Sequence, residues 1–510
     1  MSSDSIAPAS HIPSLEKSQI FKDKSNIIEK EGHDCYPHLD EANEKTITIT
    51  IPAFYSENSF PVDDKAYKTD GSSISELNGD SSDHEAGTSY NKMHDPTYFP
   101  EGGLWAYLSL LGGFLSVLTT WGIITSFGVF QTYYKTDLFK HLSSFQLGWI
   151  QSLQLSCIFM GGVFTGRLFD DGYFYYLEII GSTLIFVCFM LVAECTKLYQ
   201  ILLAQGVGMG LGMGMLFGPV LGCCSAYFKR KRGFAMCVCA SGGGVGGIIF
   251  PIAANNLIQH VGFSWTIRIL AFIELFFLII LISVTRDRLP FHVRQEYARK
   301  KYTSSIFSLN SWVDKTALHT PEFMFFVGGV ALCFFALYTP FSQIQSFAIY
   351  MNADPNIITY IVAILNAAGV VGRFTVFLIA RYLGALNMTV LFSIAAAICC
   401  YPFFTINSNA SLVVFTIFYG YVSGVVGTFP PFCVPHLTED ITRLGTRFSM
   451  CFFALSIITA FSTPISGLTL GPNNNEFMHL SMLCGGFFTG GAILMILGRV
   501  SKAGWKWEVI

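Results

Sequence analysis

Asn366 and Arg373 sit seven positions apart in an otherwise apolar stretch. A seven-residue step is nearly two helical turns, so a helix puts both side chains on one face. Together they offer an amide and a guanidinium, and a guanidinium grips a planar carboxylate through two parallel hydrogen bonds. Anchoring the inner end of its helix to loop residues is the plainer use of the same Arg. A charge in hydrocarbon is costly enough to need a reason, and only Arg268 and Glu274 share this property with Arg373. Arg268 lies near the end of its run, where a long side chain snorkels to the interface. Glu274 lies deeper and is a candidate for proton coupling, or else a hydrogen-bonded structural group.

Catalysis is not expected. It needs a cluster of acids, bases or nucleophiles on one face, whereas His141, His260, His292, His319 and His436 are scattered singly at the ends of apolar runs. The 14 Cys fall almost entirely in apolar stretches and lack metal or disulfide spacing. No metal, cofactor or nucleic-acid partner is therefore assigned. Tyr338, Ser342 and Gln343, with Tyr421 and Thr428, offer instead the lining of a polar, aromatic cavity for a ring-bearing solute, or buried hydroxyls satisfied within the core.

The elements that position these residues are membrane helices. The chain is 52% apolar and 13% charged, with a mean hydropathy of +0.49, which makes a lipid bilayer its main solvent. A spanning helix needs about 20 apolar residues. Runs of that length start near Leu104, Leu147, Leu177, Ile201, Phe234 and Phe263, and after a polar stretch near Glu322, Ile357, Leu386, Ser411, Phe448 and Phe477. The expected organisation is a disordered acidic cytosolic tail (1–100), a six-helix half (101–284), a cytosolic linker (285–321), a second six-helix half (322–499) and a short tail (500–510). More than half of the 34 acidic residues lie at or before Glu101. Within that tail, Thr46–Ile51 alternates with strand periodicity but has no neighbour to pair with.

Loop charge sets the orientation. Arg167, Lys229, Arg230, Lys231, Arg232, the Arg and Lys of the linker, Arg381, Arg443, Arg447, Arg499 and Lys502 fall on one side, against Lys135, Lys140 and Lys197 on the other. Both termini are expected in the cytosol, and the plasma membrane is preferred to a vacuolar or other internal membrane. The halves echo each other, as transporter halves do. Gly166–Gly172 after span 2 matches Phe377–Gly384 after span 8. Arg232 with Met236 and Cys237 opens span 5, as Arg447 with Met450 and Cys451 opens span 11. Gly206, Gly208, Gly210, Gly212 and Gly214, and Gly242–Gly247, imitate phosphate loops. Lying inside apolar runs, they read as close helix contacts.

Twelve helices in two parallel halves joined by a basic loop resemble the major facilitator superfamily. Pro100–Ala106, with its acidic-Gly-Gly-aromatic order, and Tyr227–Ala235, followed by Ser241, Gly242 and Gly246, are similar to two signatures of its monocarboxylate transporter family. Tyr338–Phe341, Asn366–Arg373, Gly445–Arg447 and Pro464–Gly467 extend the resemblance to that family's fungal branch, which includes a riboflavin transporter. The resemblance implies a secondary transporter working by alternating access, with Arg373 as its substrate-binding Arg; Asn366, Tyr338 and Gln343 are expected as further contacts from their own positions and chemistry. The cargo would be a monocarboxylate, with facilitated riboflavin uptake and a carrier-fold nutrient sensor as alternatives and a proton as a possible co-substrate. Asp170, Arg167, Arg230 and Arg232, at the cytosolic helix ends, would set the conformational balance. Two departures weaken lactate–proton coupling: the family's Asp one turn before the Arg is Gly369, and its Lys in span 1 is Gly128.

Overall fold

The computed structural model describes residues 99–292, 294–295, 313–438, 444–471 and 476–505. The acidic segment before residue 99, including Thr46–Ile51, lies outside the described residues, as do residues 296–312 of the linker and Arg443. Among the described residues, twelve helices are long and apolar enough to cross a membrane: α1 (Leu104–Leu138), α2 (Ser144–Asp170), α3 (Phe174–Val192), α4 (Leu198–Ser225), α5 (Arg232–Val261), α6 (Phe263–Val284), α7 (Pro321–Tyr350), α8 (Pro355–Ala380), α9 (Ala385–Thr405), α10 (Asn409–Val426), α11 (Gly445–Leu468) and α12 (Phe477–Ala503). Several begin one to three residues before the apolar run, because the caps are polar. Ser143 and Ser408 accept the N–H groups of Gln146 and Ser411, and Pro355 opens α8, where its missing N–H costs nothing.

The glycine runs are helix contacts. In α4, Gly206, Gly210 and Gly214 face α2, where a Cβ on Gly214 would stand 2.9 Å from the Gly161 Cα, while Gly208 and Gly212 face α3. In α5, Gly242 and Gly246 press on the α1 backbone, but Gly244 and Gly247 face α8, in the other half.

The halves meet along α1 with α7, α2 with α11, and α5 with α8. A two-fold relation that exchanges α2 with α8 and α5 with α11 maps the second pair onto the third, so the repeats seen in sequence are the helices that cross. Their contacts run from the end with few basic residues. There Gly467 abuts Ser144, the Thr463 N–H donates to Ser152 Oγ (3.1 Å), and Asn255 Nδ2 donates to the Thr359 carbonyl (2.9 Å). Hydroxyls of Ser156 and Ser456 meet farther in, at 3.0 Å. Small side chains and neutral hydrogen bonds build this seam.

The basic end is organised half by half. Glu101, at φ 55°, points its carboxylate at the start of α5, where Oε1 accepts the N–H groups of Lys229 (2.7 Å) and Arg230 and Oε2 that of Lys231 (3.3 Å). An anion there satisfies free N–H donors and the positive end of the helix dipole. The buried Arg232 guanidinium in turn donates to the carbonyls of Phe228 (3.0 Å) and Ser225 (3.3 Å) at the end of α4 and lies over Phe99. The two family signatures are thus one clasp. The second half repeats its Arg component: Arg447 donates to the Leu437 carbonyl (2.6 Å) and to Asp314 (3.1 Å) and lies over Phe323, at the start of α7. Replacing Glu101 with Ala strips the cap and is expected to cost about 1 kcal/mol of stability, read as a lower unfolding temperature of the purified protein, with Glu101→Gln intermediate.

Candidate functional site

Helices α1 and α7 are both interrupted near mid-membrane, at matching places in the two halves. The first helix of α1 ends at Thr125 and a second starts at Phe127; α7 stops at Leu337 and resumes at Thr339–Pro340. Pro340 removes an N–H from the ladder. Side chains satisfy the freed carbonyls: Tyr419 Oη donates to the Leu337 oxygen (2.8 Å), Gln151 Nε2 to that of Ile124 (3.3 Å), and Ser126 Oγ to that of Gly122 (2.6 Å). Interrupted helices at the junction of two repeats mark binding sites in carriers.

Arg373 and Asn366 share one face of α8, as their spacing predicts, and that face lies on the glycines of α5. A Cβ on Gly244 would stand 2.6 Å from Arg373 Nη1, and one on Gly247 would collide with the Asn366 amide. Asn366 is 1% exposed; its Nδ2 donates to the Val362 carbonyl (2.9 Å), and its Oδ1 has no partner. Arg373 Nη1 is shut off from solvent and makes no hydrogen bond among the described residues. Gly369 explains why. It fits the seam between α8 and α10, where a Cβ would lie 3.3 Å from the Gly420 carbonyl oxygen and 3.8 Å from Arg373 Nη1. A side-chain acid here would be the guanidinium's internal partner, and glycine supplies none.

Tyr338 lies at the α7 interruption, near enough to Arg373 for electrostatic contact. Its ring stacks on Trp121 of α1, with centroids 5.7 Å apart and planes 21° from parallel. Phe159 and Phe217 pack against Trp121, and Phe334 and Phe341 against Tyr338. Trp121 escaped the sequence reading because nothing in an apolar run separates a cavity Trp from a lipid-facing one. Gln343 is fully buried with both amide atoms unpartnered, one turn beyond Thr339, whose hydroxyl meets that of Ser466 on α11 (2.9 Å). Of two further aromatic-cavity candidates, Tyr421 packs its ring on Phe392 of α9 and its carbonyl against Gly372, and buried Thr428 donates to the Val425 carbonyl (2.6 Å).

Glu274 is fully buried with neither oxygen hydrogen-bonded among the described residues. Its helix, α6, packs on α1, α3 and α5 of its own half, with Phe272, Phe276 and Ile279 exposed on the opposite face. Glu274 therefore faces the interior of the first half and is not gathered with Arg373 by any contact between the halves. Arg268 pairs with Glu194 and lies over Trp265, an anchor at the helix end. Of the residues expected to set the conformational balance, half-buried Arg167 and Asp170 end α2, Asp170 within electrostatic reach of Arg294. Arg230 is exposed, and Arg232 is committed to the α4 carbonyls.

Two six-helix halves around a central polar and aromatic site define a secondary carrier. The profile of the Major Facilitator Superfamily matches residues 109–460, and the chain belongs to that family. It is similar to MFS-type transporter 1 of Ophiocordyceps sp., at 33% identity over 80% of this chain and 88% of the relative. The agnestins efflux protein of Paecilomyces divaricatus is 32% identical over 78% of this chain and 87% of its own, and the aspyridones efflux protein of Emericella nidulans 30% identical over 80% and 82%. Among solved structures, a mutant of the nucleoside transporter NupG covers 77% of this chain and 99% of its own, with a TM-score of 0.58 at 14% identity. An inward-facing, unoccupied bacterial homologue of the human lysosomal transporter Spinster covers 80% and 100%, with a TM-score of 0.58 at 15% identity. These two likenesses concern the fold alone.

Gly244→Ala tests the seating of the guanidinium. The added methyl falls on Arg373 Nη1 and Val370, so transport is expected to drop at least tenfold while the protein still reaches the membrane, as measured by flux normalised to surface protein.

Proposed function

We propose that the chain exports a small, ring-bearing organic acid by alternating access, the seam at the weakly basic end being the closed outer gate of an inward-open state. The observation that carries this reading is the Arg373 guanidinium, held between the halves with a buried nitrogen that has no protein partner. Ionic groups removed from water are retained when paired, and no carboxylate of the described residues serves this one. An anionic cargo supplies the missing acceptor, with Asn366 Oδ1 beside it to take a hydrogen bond, and Tyr338 and Gln343 complete the site. Arg167, Asp170, Arg230 and Arg232 at the basic end bias the exchange between inward-open and outward-open states.

Export is favoured over uptake by the two relatives named as efflux proteins. The monocarboxylate and riboflavin cargoes suggested by the signatures have no such support, since the relatives named here carry neither word. Gly369 and Gly128 also bring helix backbones together where the coupled carriers place charges. Proton coupling through Glu274 receives no support from its position inside the first half.

In cells deleted for the transporter and complemented with either form, Arg373→Gln is expected to raise the intracellular level of an acidic, ring-bearing compound and to deplete it from the medium, with surface expression unchanged. Export equal to wild type would contradict the assignment. A chain lacking residues 1–95 keeps export on this reading, whereas a nutrient sensor would lose its downstream response.

A further inference from the structure

The stacked pair Trp121 and Tyr338 is more than core packing. One ring comes from α1 of the first half and the other from α7 of the second, beside the α7 interruption and next to Arg373. Each has its own support: edge and tilted contacts from Phe159 and Phe217 hold the indole, and Phe334 and Phe341 hold the phenol. Gly243 lets α5 close behind the indole, since a Cβ there would stand 2.9 Å from the Trp121 Cβ. Buried Trp and Tyr ordinarily bond their N–H and O–H. Neither the indole N–H nor the phenol O–H makes a hydrogen bond among the described residues, and neither polar atom is closed off from solvent. Two unspent polar tips and two facing π-surfaces thus adjoin an unpaired cation.

We infer that Trp121 and Tyr338 form an aromatic clamp that takes a planar conjugated ring of the cargo between them, a ring subsite separate from the Arg373 anchor. A ring needs about 3.5 Å of clearance on each face, so the pair must stand about 7 Å apart to hold one. The two rings are in stacked contact now, with centroids 5.7 Å apart, so admitting a ring requires the halves to part here by about one ring thickness, about 3.5 Å. Because the rings belong to different halves, binding a flat ring also ties cargo occupancy to the angle between them. Saturated, puckered rings of equal size lack the flat faces and are discriminated against. This deepens the organic-acid reading above and rests on it for the anionic end of the cargo only.

The test uses full-length protein in lipid nanodiscs with two probes of equal charge and similar size, 2-naphthoate and decahydro-2-naphthoate. Wild type is expected to bind the aromatic acid at least tenfold more tightly. Trp121→Leu brings the two affinities within about twofold by weakening naphthoate alone, and Trp121→Phe keeps most of the preference. Arg373→Gln weakens both probes and preserves their ratio. Wild type with no preference, or Trp121→Leu with the preference intact, overturns the clamp. Should Trp121→Leu fail to fold, the same ratio in Tyr338→Leu decides. An Arg373→Gln protein that keeps both affinities overturns the anion anchor instead and leaves the clamp standing.

Discussion

A half-buried cation, Arg373, whose Nη1 is closed off from solvent without an internal partner among the described residues, is the constraint around which the central region is arranged. Taking a guanidinium out of water costs several kcal/mol unless something repays it, and the chain goes to some length not to repay it. Gly369, against α10, puts no acid one turn from Arg373, and Gly244 and Gly247 clear the space that the guanidinium and the Asn366 amide occupy. The glycines of α5 thus serve two ends, with Gly242 and Gly246 closing the helix onto α1 and Gly244 and Gly247 hollowing its other face. An unmet electrostatic demand of this kind is what the proposed binding of an acidic cargo rests on.

The two ends of the bundle solve opposite problems. At the basic end each half is clasped to itself, by Glu101 capping α5 and Arg232 capping α4 in one half and by Arg447 joining Asp314 to the Leu437 carbonyl in the other. Such contacts keep each half rigid while it moves as a body. At the other end the halves touch through Ser, Thr, Gly and Asn, with short neutral hydrogen bonds and little to desolvate on parting. Rigid halves with a weakly bonded gate are what a rocking mechanism needs.

Most of this architecture was legible in the sequence because bilayer physics leaves few options. Twenty-residue apolar runs had to be helices, and their starts were placed one to three residues late in most spans, in some because a polar cap such as Ser143 or Ser408 lies outside the apolar stretch. The glycine runs read correctly as packing, and the seven-residue step correctly placed Asn366 and Arg373 on one face. The echo between Arg232 and Arg447, faint as a string of letters, is a repeated device in space, one guanidinium lying over Phe99 just before α1 and the other over Phe323 in the first turn of α7. Trp121 and the clasp by Glu101 were not legible, because both depend on contacts between residues more than a hundred positions apart.

Whether Arg373 reads charge is tested most directly by two ligands that differ in little else. Binding of 2-naphthoate and of its neutral carboxamide should be compared in the purified wild-type protein and in Arg373→Gln. The unpaired guanidinium predicts that wild type prefers the acid at least tenfold and that the variant binds the two alike. An Arg373→Gln protein that still prefers the acid by the wild-type margin would show that the anion is held elsewhere.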